Sequence, residues 1–279
     1  MPHHPGPQLR QGARLGHLER GAQGPVRHRG LPGEVRRPAQ RRDHNVTTLS
    51  VIDLQGGYRE SVPVFSEVGF ELDRGAIGVI GRNGAGKTCL AQTLSGALTT
   101  TNGSILLGGR AVEHLSPRAR VSAGISLVPE GRLIFGQLTV RENLEVAVHA
   151  AGRGEKRIAA MEEQFPILGH KRSMRGASLS GGEQQLLAIA RALVQEPTVV
   201  ILDEPSLGLS PIAVDNLTVA LRQVLDEGEV AMVLMEQNGE LLTGLCHSVL
   251  LMDQGAITGT LDMGDPADQD KLFESYLGV

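Results

Sequence analysis

The sequence predicts an α/β fold: a mostly parallel sheet, an antiparallel β edge and a helical subdomain. Three observations carry that expectation. Residues 76–80, 198–202 and 230–235 are short, nearly continuous apolar runs, as parallel strands covered on both faces require. The first run feeds the glycine-rich turn Gly81-Arg82-Asn83-Gly84-Ala85-Gly86-Lys87-Thr88, and a helical pattern follows at once. Between residues 130 and 176 the apolar spacing is mostly helical, so a block of helices interrupts the α/β alternation.

Taken in order, residues 50–54 and 67–72 alternate like strands of a half-exposed sheet. Residues 76–80 form the strand before the glycine turn, and 87–97 the helix after it. Further strands are expected at 104–107 and 125–128. The clearest helical pieces of the inserted block are 140–150 and 155–164. A helix rich in Leu and Ala covers 183–195, and the apolar strand 198–202 follows. A helix at 211–225 leads to the strand 230–235, and residues 248–253 with 256–260 suggest a closing hairpin. One ordered domain is expected over residues 47–279, with its helical subdomain at about 130–180. No internal repeat or heptad pattern appears.

A chain of 279 residues is long enough for one sizeable α/β domain or two small ones. No apolar run approaches the ~18 residues of a bilayer span. The two cysteines, Cys89 and Cys246, form neither a disulfide scaffold nor a metal-type spacing, which suits a reduced, cytosolic setting. His114, His149, His170 and His247 also lack ligand spacing and read as surface or packing residues. The net charge of -4 conceals an asymmetry. Residues 1–45 hold nine arginines against Glu19, Glu34 and Asp43, so the remainder is acidic. An acidic body argues against a nucleic-acid surface. The first 45 residues contain no Ser, Ile, Phe, Tyr or Lys, and prolines at 2, 5, 7, 25, 32 and 38 break any helix. They resemble neither a secretory signal nor a transit peptide. Residues 1–46 are expected to be a disordered tail, an over-extended gene start in GC-rich DNA, or a basic arm for nucleic acid or anionic lipid.

The chemistry begins at the glycine turn. Glycines at 81, 84 and 86 let backbone N–H groups converge on phosphate oxygens, and the next helix aims its N-terminus at the same anion. Lys87 supplies a point charge to the outer phosphates, and Thr88 a hydroxyl for Mg²⁺. This is a complete phosphate-binding loop in its strand–loop–helix context. Asp203 ends an apolar strand, where parallel sheets bind ligands, and its carboxylate suits Mg²⁺ held through water. Glu204 beside it suits polarisation of an attacking water. Without the phosphate loop the pair would read only as a turn before Pro205. Leu179-Ser180-Gly181-Gly182-Glu183-Gln184-Gln185 puts a hydroxyl and bare backbone at another helix start, a second anion site. One nucleotide does not need two such sites in one chain. Ser-Gly-Gly alone would suit an ordinary N-cap turn; for the whole seven-residue run, the economical explanation is that each loop serves a different ATP across a head-to-tail dimer.

With these runs in this order, residues 49–277 resemble the ATP-binding-cassette (ABC) ATPases. The resemblance implies that residues 179–185 are the signature run, closing over the ATP of the facing subunit through Ser180, Gly181, Gly182 and Glu183. Tyr58 falls where the family places an aromatic that stacks on adenine, although a tyrosine in Gln-Gly-Gly-Tyr equally suits a packed loop. The runs at residues 128–132, 138–144, 203–211 and 235–238 are similar to the F-type ATPase subunit of high-affinity branched-chain amino-acid importers. Close relatives of that subunit serve urea and amide importers. The resemblance implies ATP-driven import with a second, different ATPase subunit and membrane permease subunits, and indirectly a periplasmic binding protein. The resemblance also implies a place of action at the cytoplasmic face of the inner membrane, and it implies no nucleic-acid partner.

Three positions depart from the general cassette pattern: Glu130 replaces a usual Gln, Gln237 a γ-phosphate-sensing His, and Leu209 an Asp. All three are ordinary for the F-type subunits. Glu130 joins Thr88 and Asp203 as an expected metal contact, and Gln237 joins Glu204 as an expected catalytic residue. Cys89 replaces a common Thr; its place near a helix N-terminus can lower a thiol pKa, but a buried small residue is the plainer reading. A soluble DNA-repair or translation ATPase is the main rival reading. Against it, the span from Thr88 to Leu179 is too short for a coiled-coil insertion, and the chain holds one cassette. A nucleotide sensor that does not hydrolyse is disfavoured by Glu204.

Overall fold

The computed structural model describes residues 49–59, 61–150 and 154–277. The tail expected over residues 1–46 lies outside the described residues. The first part of the chain runs β1 (Leu49–Gly56), β2 (Phe65–Leu72), β3 (Ala76–Ile80), α1 (Lys87–Ser95), β4 (Thr100–Leu107), β5 (Arg110–Ala111), α2 (Pro117–Ala123) and β6 (Ile125–Val128). The helices α3 (Val140–Ala150), α4 (Lys156–Gln164), α5 (Pro166–His170) and α6 (Gly181–Leu193) follow. The remainder is β7 (Val199–Asp203), α7 (Pro211–Asp226), β8 (Ala231–Glu236), α8 (Gly239–Leu245), β9 (Ser248–Asp253), β10 (Ala256–Asp262) and α9 (Pro266–Leu277).

Two sheets result. One is antiparallel, in the order β2-β1-β4-β5. The other runs β10-β9-β3-β8-β7-β6, parallel throughout except for the β9–β10 hairpin. That hairpin turns on Gln254 and Gly255, both at positive φ, the conformation a tight two-residue turn demands.

The apolar runs have a simple cause. Val199 and Ile201 of β7, and Ala231, Val233 and Met235 of β8, point into the space between the two sheets. There they meet Cys89, Leu90, Ala91 and Leu94 of α1 and the inner face of the antiparallel sheet. The alternate residues Val200, Leu202, Met232 and Leu234 point into a second core beneath the other helices. Both faces of these strands are buried, so no polar alternation remains.

The inserted helices pack into that second core. Val140, Leu144 and Val148 recur at the four-residue spacing of one helix face. A reciprocal pair opens α3: the Thr139 N–H donates to Glu142 at 2.7 Å, and the Glu142 N–H to the Thr139 hydroxyl at 3.1 Å. The fully buried Asn143 exchanges hydrogen bonds with the Phe135 backbone at 2.9 and 3.0 Å, fixing the loop before the helix.

Helix α1 ends two residues earlier than its pattern predicts, because the Gly96 N–H turns back to the Thr93 carbonyl. Arg120 of α2, 1% exposed, closes that end. It donates to the carbonyls of Thr93 and Leu94 and, at 2.6 Å, to that of Glu113. A cation at a helix C-terminus also complements the helix dipole. The helix that carries the phosphate loop is thus fixed at both ends.

Candidate functional site

Four loops meet at one edge of the parallel sheet. They leave the C-terminal ends of β3, β8, β7 and β6, which are consecutive neighbours. The first carries the Gly81–Thr88 turn, the second Gln237, the third Glu204 and the fourth Glu130. Parallel sheets bind ligands at this edge because each crossover leaves its loop there. Tyr58, Asn83, Gly84, Ala85, Gly86, Lys87, Thr88, Glu130, Glu204 and Gln237 line a single cleft of about 310 Å³. Eight of those ten are the expected contacts from the phosphate loop and its two flanking residues of chemistry, and the cleft unites them with Tyr58 and Glu130.

The turn folds as its glycines require. Gly86 caps α1 at φ +109°, a conformation strained for any side chain, and no side chain occupies the cap. The first N–H groups of α1 are therefore open to an anion. A Cβ on Gly81 would lie 2.3 Å from the Met252 carbonyl oxygen of β9, so only glycine fits against that strand. The hairpin turn adds a tie, with the Gly255 N–H donating to the Ala85 carbonyl at 3.0 Å.

Lys87 is buried. Its Nζ donates to the Gly81 carbonyl at 2.7 Å and pairs with Glu204 Oε1 at 3.0 Å. Thr88 Oγ1 donates to Asp203 Oδ1 at 3.2 Å. Asp203 ends β7 almost wholly buried. Burial raises its carboxyl to about 6, the Thr88 hydroxyl opposes that, and the charges of Glu204 and Glu130 add to it. Glu204 leaves the strand in the left-handed region, φ 49°, while its N–H still bonds the Met235 carbonyl at 2.9 Å. Gln237 Nε2 donates to Glu204 Oε1 at 3.1 Å and to Asn83 Oδ1 at 2.8 Å. One chain of contacts thus runs Asn83–Gln237–Glu204–Lys87.

Among the described residues no three His, Cys, Asp or Glu side chains form a metal-binding group. The oxygen donors present fit a hard cation that keeps several waters and shares phosphate oxygens, not an all-protein cage. Tyr58 stays 64% exposed at the cleft mouth, so its ring face is free to stack.

The second expected anion site lies apart. Ser180 caps α6 in a full capping box: the Ser180 N–H reaches Glu183 at 3.0 Å, and the Glu183 N–H reaches Ser180 Oγ at 3.4 Å. Lys171 Nζ holds the other Glu183 oxygen at 2.7 Å. Gly181 faces the Arg132 guanidinium, and Gly182 packs on Ala213. None of Ser180, Gly181, Gly182 and Glu183 lines the phosphate-loop cleft.

Sequence reasoning missed several residues. Val64, Cys89 and Leu207 also line the cleft, and the Lys87–Glu204 and Asn83–Gln237 contacts had no local signal. Cys89 is a buried small residue, and burial raises its thiol pKa against the opposing hydrogen bond with Thr93. His114, His149, His170 and His247 are exposed.

The fold and the cleft define a phosphate-loop nucleotide-binding protein. Residues 65–207 match the ABC transporter family model. The chain is 35% identical over 228 residues to the high-affinity branched-chain amino acid transport ATP-binding protein BraG of Pseudomonas aeruginosa, covering 79% of this chain and 96% of that one. It is 30% identical over 234 residues to a probable branched-chain amino acid transport ATP-binding protein, LivF, of Archaeoglobus fulgidus, covering 83% and 99%. A putative ribose/galactose/methyl galactoside import ATP-binding protein of Pseudomonas fluorescens is 32% identical, over 77% of this chain and 44% of its own length. Among solved structures, an ATP-binding subunit of an ABC transporter superposes with a TM-score of 0.69 at 27% identity, over 83% of this chain and all of that one. The chain belongs to the ABC transporter family, and it is an ATPase. Among the described residues no helix is long and apolar enough to cross a membrane.

Proposed function

We propose that this chain is the ATP-hydrolysing subunit of a branched-chain amino-acid importer. It works as one half of a head-to-tail pair with a second, different ABC ATPase. The pair drives membrane permease subunits from the cytoplasmic face of the inner membrane, and a periplasmic binding protein delivers the cargo on the other side. The observation that carries the cargo class is similarity along almost the full length of two branched-chain relatives.

The site supports a direct mechanism. Tyr58 stacks on adenine, and the N–H groups of Gly81, Asn83, Gly84, Ala85 and Gly86 with Lys87 hold the phosphates. Lys87 exchanges its Glu204 partner for γ-phosphate oxygens, which frees the carboxylate. Glu204 then accepts a proton from the water whose oxygen attacks the γ-phosphorus, as the bond to the bridging oxygen breaks and ADP leaves. Gln237, already within 3.1 Å of Glu204, donates its amide N–H to the γ-phosphate. Thr88, Asp203 and Glu130 would hold Mg²⁺, which neutralises phosphate charge when bound. Ser180, Gly181, Gly182 and Glu183 complete the partner's ATP, consistent with their distance from this chain's own cleft.

Uptake of labelled leucine, isoleucine and valine by cells carrying Lys87→Ala in place of the native chain tests the cargo. All three should be lost together. Intact branched-chain uptake with loss of urea, amide or sugar uptake would reassign the importer. Intact uptake of every solute would favour a soluble, non-transport ATPase.

A further inference from the structure

Glu236 is the last residue of β8 and is 1% exposed, the most buried carboxylate among the described residues. It does not line the nucleotide cleft. Its oxygens nevertheless take hydrogen bonds from both loops that carry the expected catalytic side chains. Oε1 accepts the Ser206 N–H at 2.8 Å, two residues beyond Glu204. Oε2 accepts the N–H of Gln237 at 3.0 Å and of Asn238 at 3.2 Å.

The position explains the need. The β7–β8 ladder ends at Asp203 opposite Met235. Beyond it the only backbone tie between the two loops among the described residues is the Glu204 N–H to the Met235 carbonyl. Past that point, side chains set the spacing of the two loops among the described residues. A neutral apolar residue at 236 would leave three N–H groups without an acceptor. A carboxylate satisfies all three, and they in turn offset the cost of its burial.

We propose that Glu236 is a positioning residue for ATP hydrolysis, holding the Glu204 and Gln237 loops in the register at which those side chains meet the γ-phosphate. The proposal rests on the assignment of Glu204 and Gln237 as catalytic. Glu236→Gln keeps the volume but turns an amide NH₂ toward at least one backbone N–H, so one loop loses its acceptor.

Steady-state ATPase assays on the full chain in its assembled transporter test this. Glu236→Gln should lower kcat by roughly 10-fold or more, because small misplacements of reacting groups are costly. The KM for ATP should stay within about 3-fold, which general loosening of the fold would not spare. In a Gln237→Ala background, already slow, Glu236→Gln should add less than about 3-fold, because both changes remove the same arrangement. An unchanged kcat, a parallel rise in KM, or fully multiplicative losses would each overturn the proposal. If Gln237→Ala itself hydrolyses ATP at full rate, the catalytic assignment fails and the proposal falls with it. If Gln237→Ala is slow and Glu236→Gln is not, only the positioning role fails. Hydrogen exchange on the unmodified chain decides the matter even if Glu236→Gln does not fold. The N–H groups of Ser206, Gln237 and Asn238 should all be protected, and free exchange at any of them would refute the arrangement.

Discussion

At the scale of single residues, Lys87 and Glu204 are each other's partners at 3.0 Å, so their substitutions should differ in kind. Lys87→Ala should sharply weaken MgATP binding. Glu204→Gln should bind ATP normally and hydrolyse it at least ~10²-fold more slowly, the scale of a lost general base. Gln237→Ala should lose ~10²–10³ in rate, the usual worth of one preorganised donor, while Gln237→His retains substantial activity. Nucleotide binding and phosphate release, measured separately, check all four; normal turnover in Glu204→Gln would remove it from the mechanism. Asp203 gives a pH signature. Its folded pKa of about 6 exceeds the unfolded value of 3.8, so between those limits the folded chain holds a proton that the unfolded chain has released. Its contribution to stability therefore falls as pH rises through that window and is level outside it. Without nucleotide or divalent metal, Asp203→Asn should gain in Tm relative to the unmodified chain from pH 4 to pH 6. A constant difference in Tm would show that Asp203 is not raised. Lys87, Thr88, Asp203 and Glu204 were legible as candidates because each lies in a local run, the first two in the glycine turn that opens α1 and the last two at the end of β7. Glu236 was not legible as a support, nor was the Asn83–Gln237 contact, because their partners come from other strands.

At the scale of elements, the double-sided strands should be the most sensitive part of the fold. Ile201 is fully buried between α1 and both sheets. Ile201→Ala should cost about 2–5 kcal/mol and lower Tm by roughly 5–15 °C. Ile212, 74% exposed near the start of α7, should tolerate alanine within about 0.5 kcal/mol. Thermal melts of the two variants make the comparison. Helices α1, α3, α4, α6 and α7 and the apolar strands were expected within a few residues of their observed bounds, because burial on one or both faces writes itself into the residue pattern. Helices α2, α5 and α8, five to seven residues each, had no expectation of their own. Pieces that short hold too few apolar residues for a period to emerge, and tertiary packing forms them. Helix α9 and the two-residue β5 were likewise unforeseen.

At the scale of the whole molecule, the two anion-ready helix starts do not share a cleft. Residues of α1 line the phosphate-loop cleft, and the capping box of α6 stands outside it. The chain on its own should therefore be mostly monomeric and slow, and should speed up when the second ATPase is added. Light scattering and phosphate release follow both changes together. A stable homodimer with full activity would discard the different-partner assignment and leave the nucleotide chemistry standing.

The sheet edge has a further consequence. Neighbouring strands lie about 4.8 Å apart, so β3, β8, β7 and β6 act as a fixed comb whose teeth set the loop spacing. Each loop hangs from its own tooth, and side-chain contacts such as Gln237 with Asn83 and Glu204 then tie the tips to one another. A substitution at one tip is therefore felt at its neighbours, while the strands beneath stay where the ladder holds them.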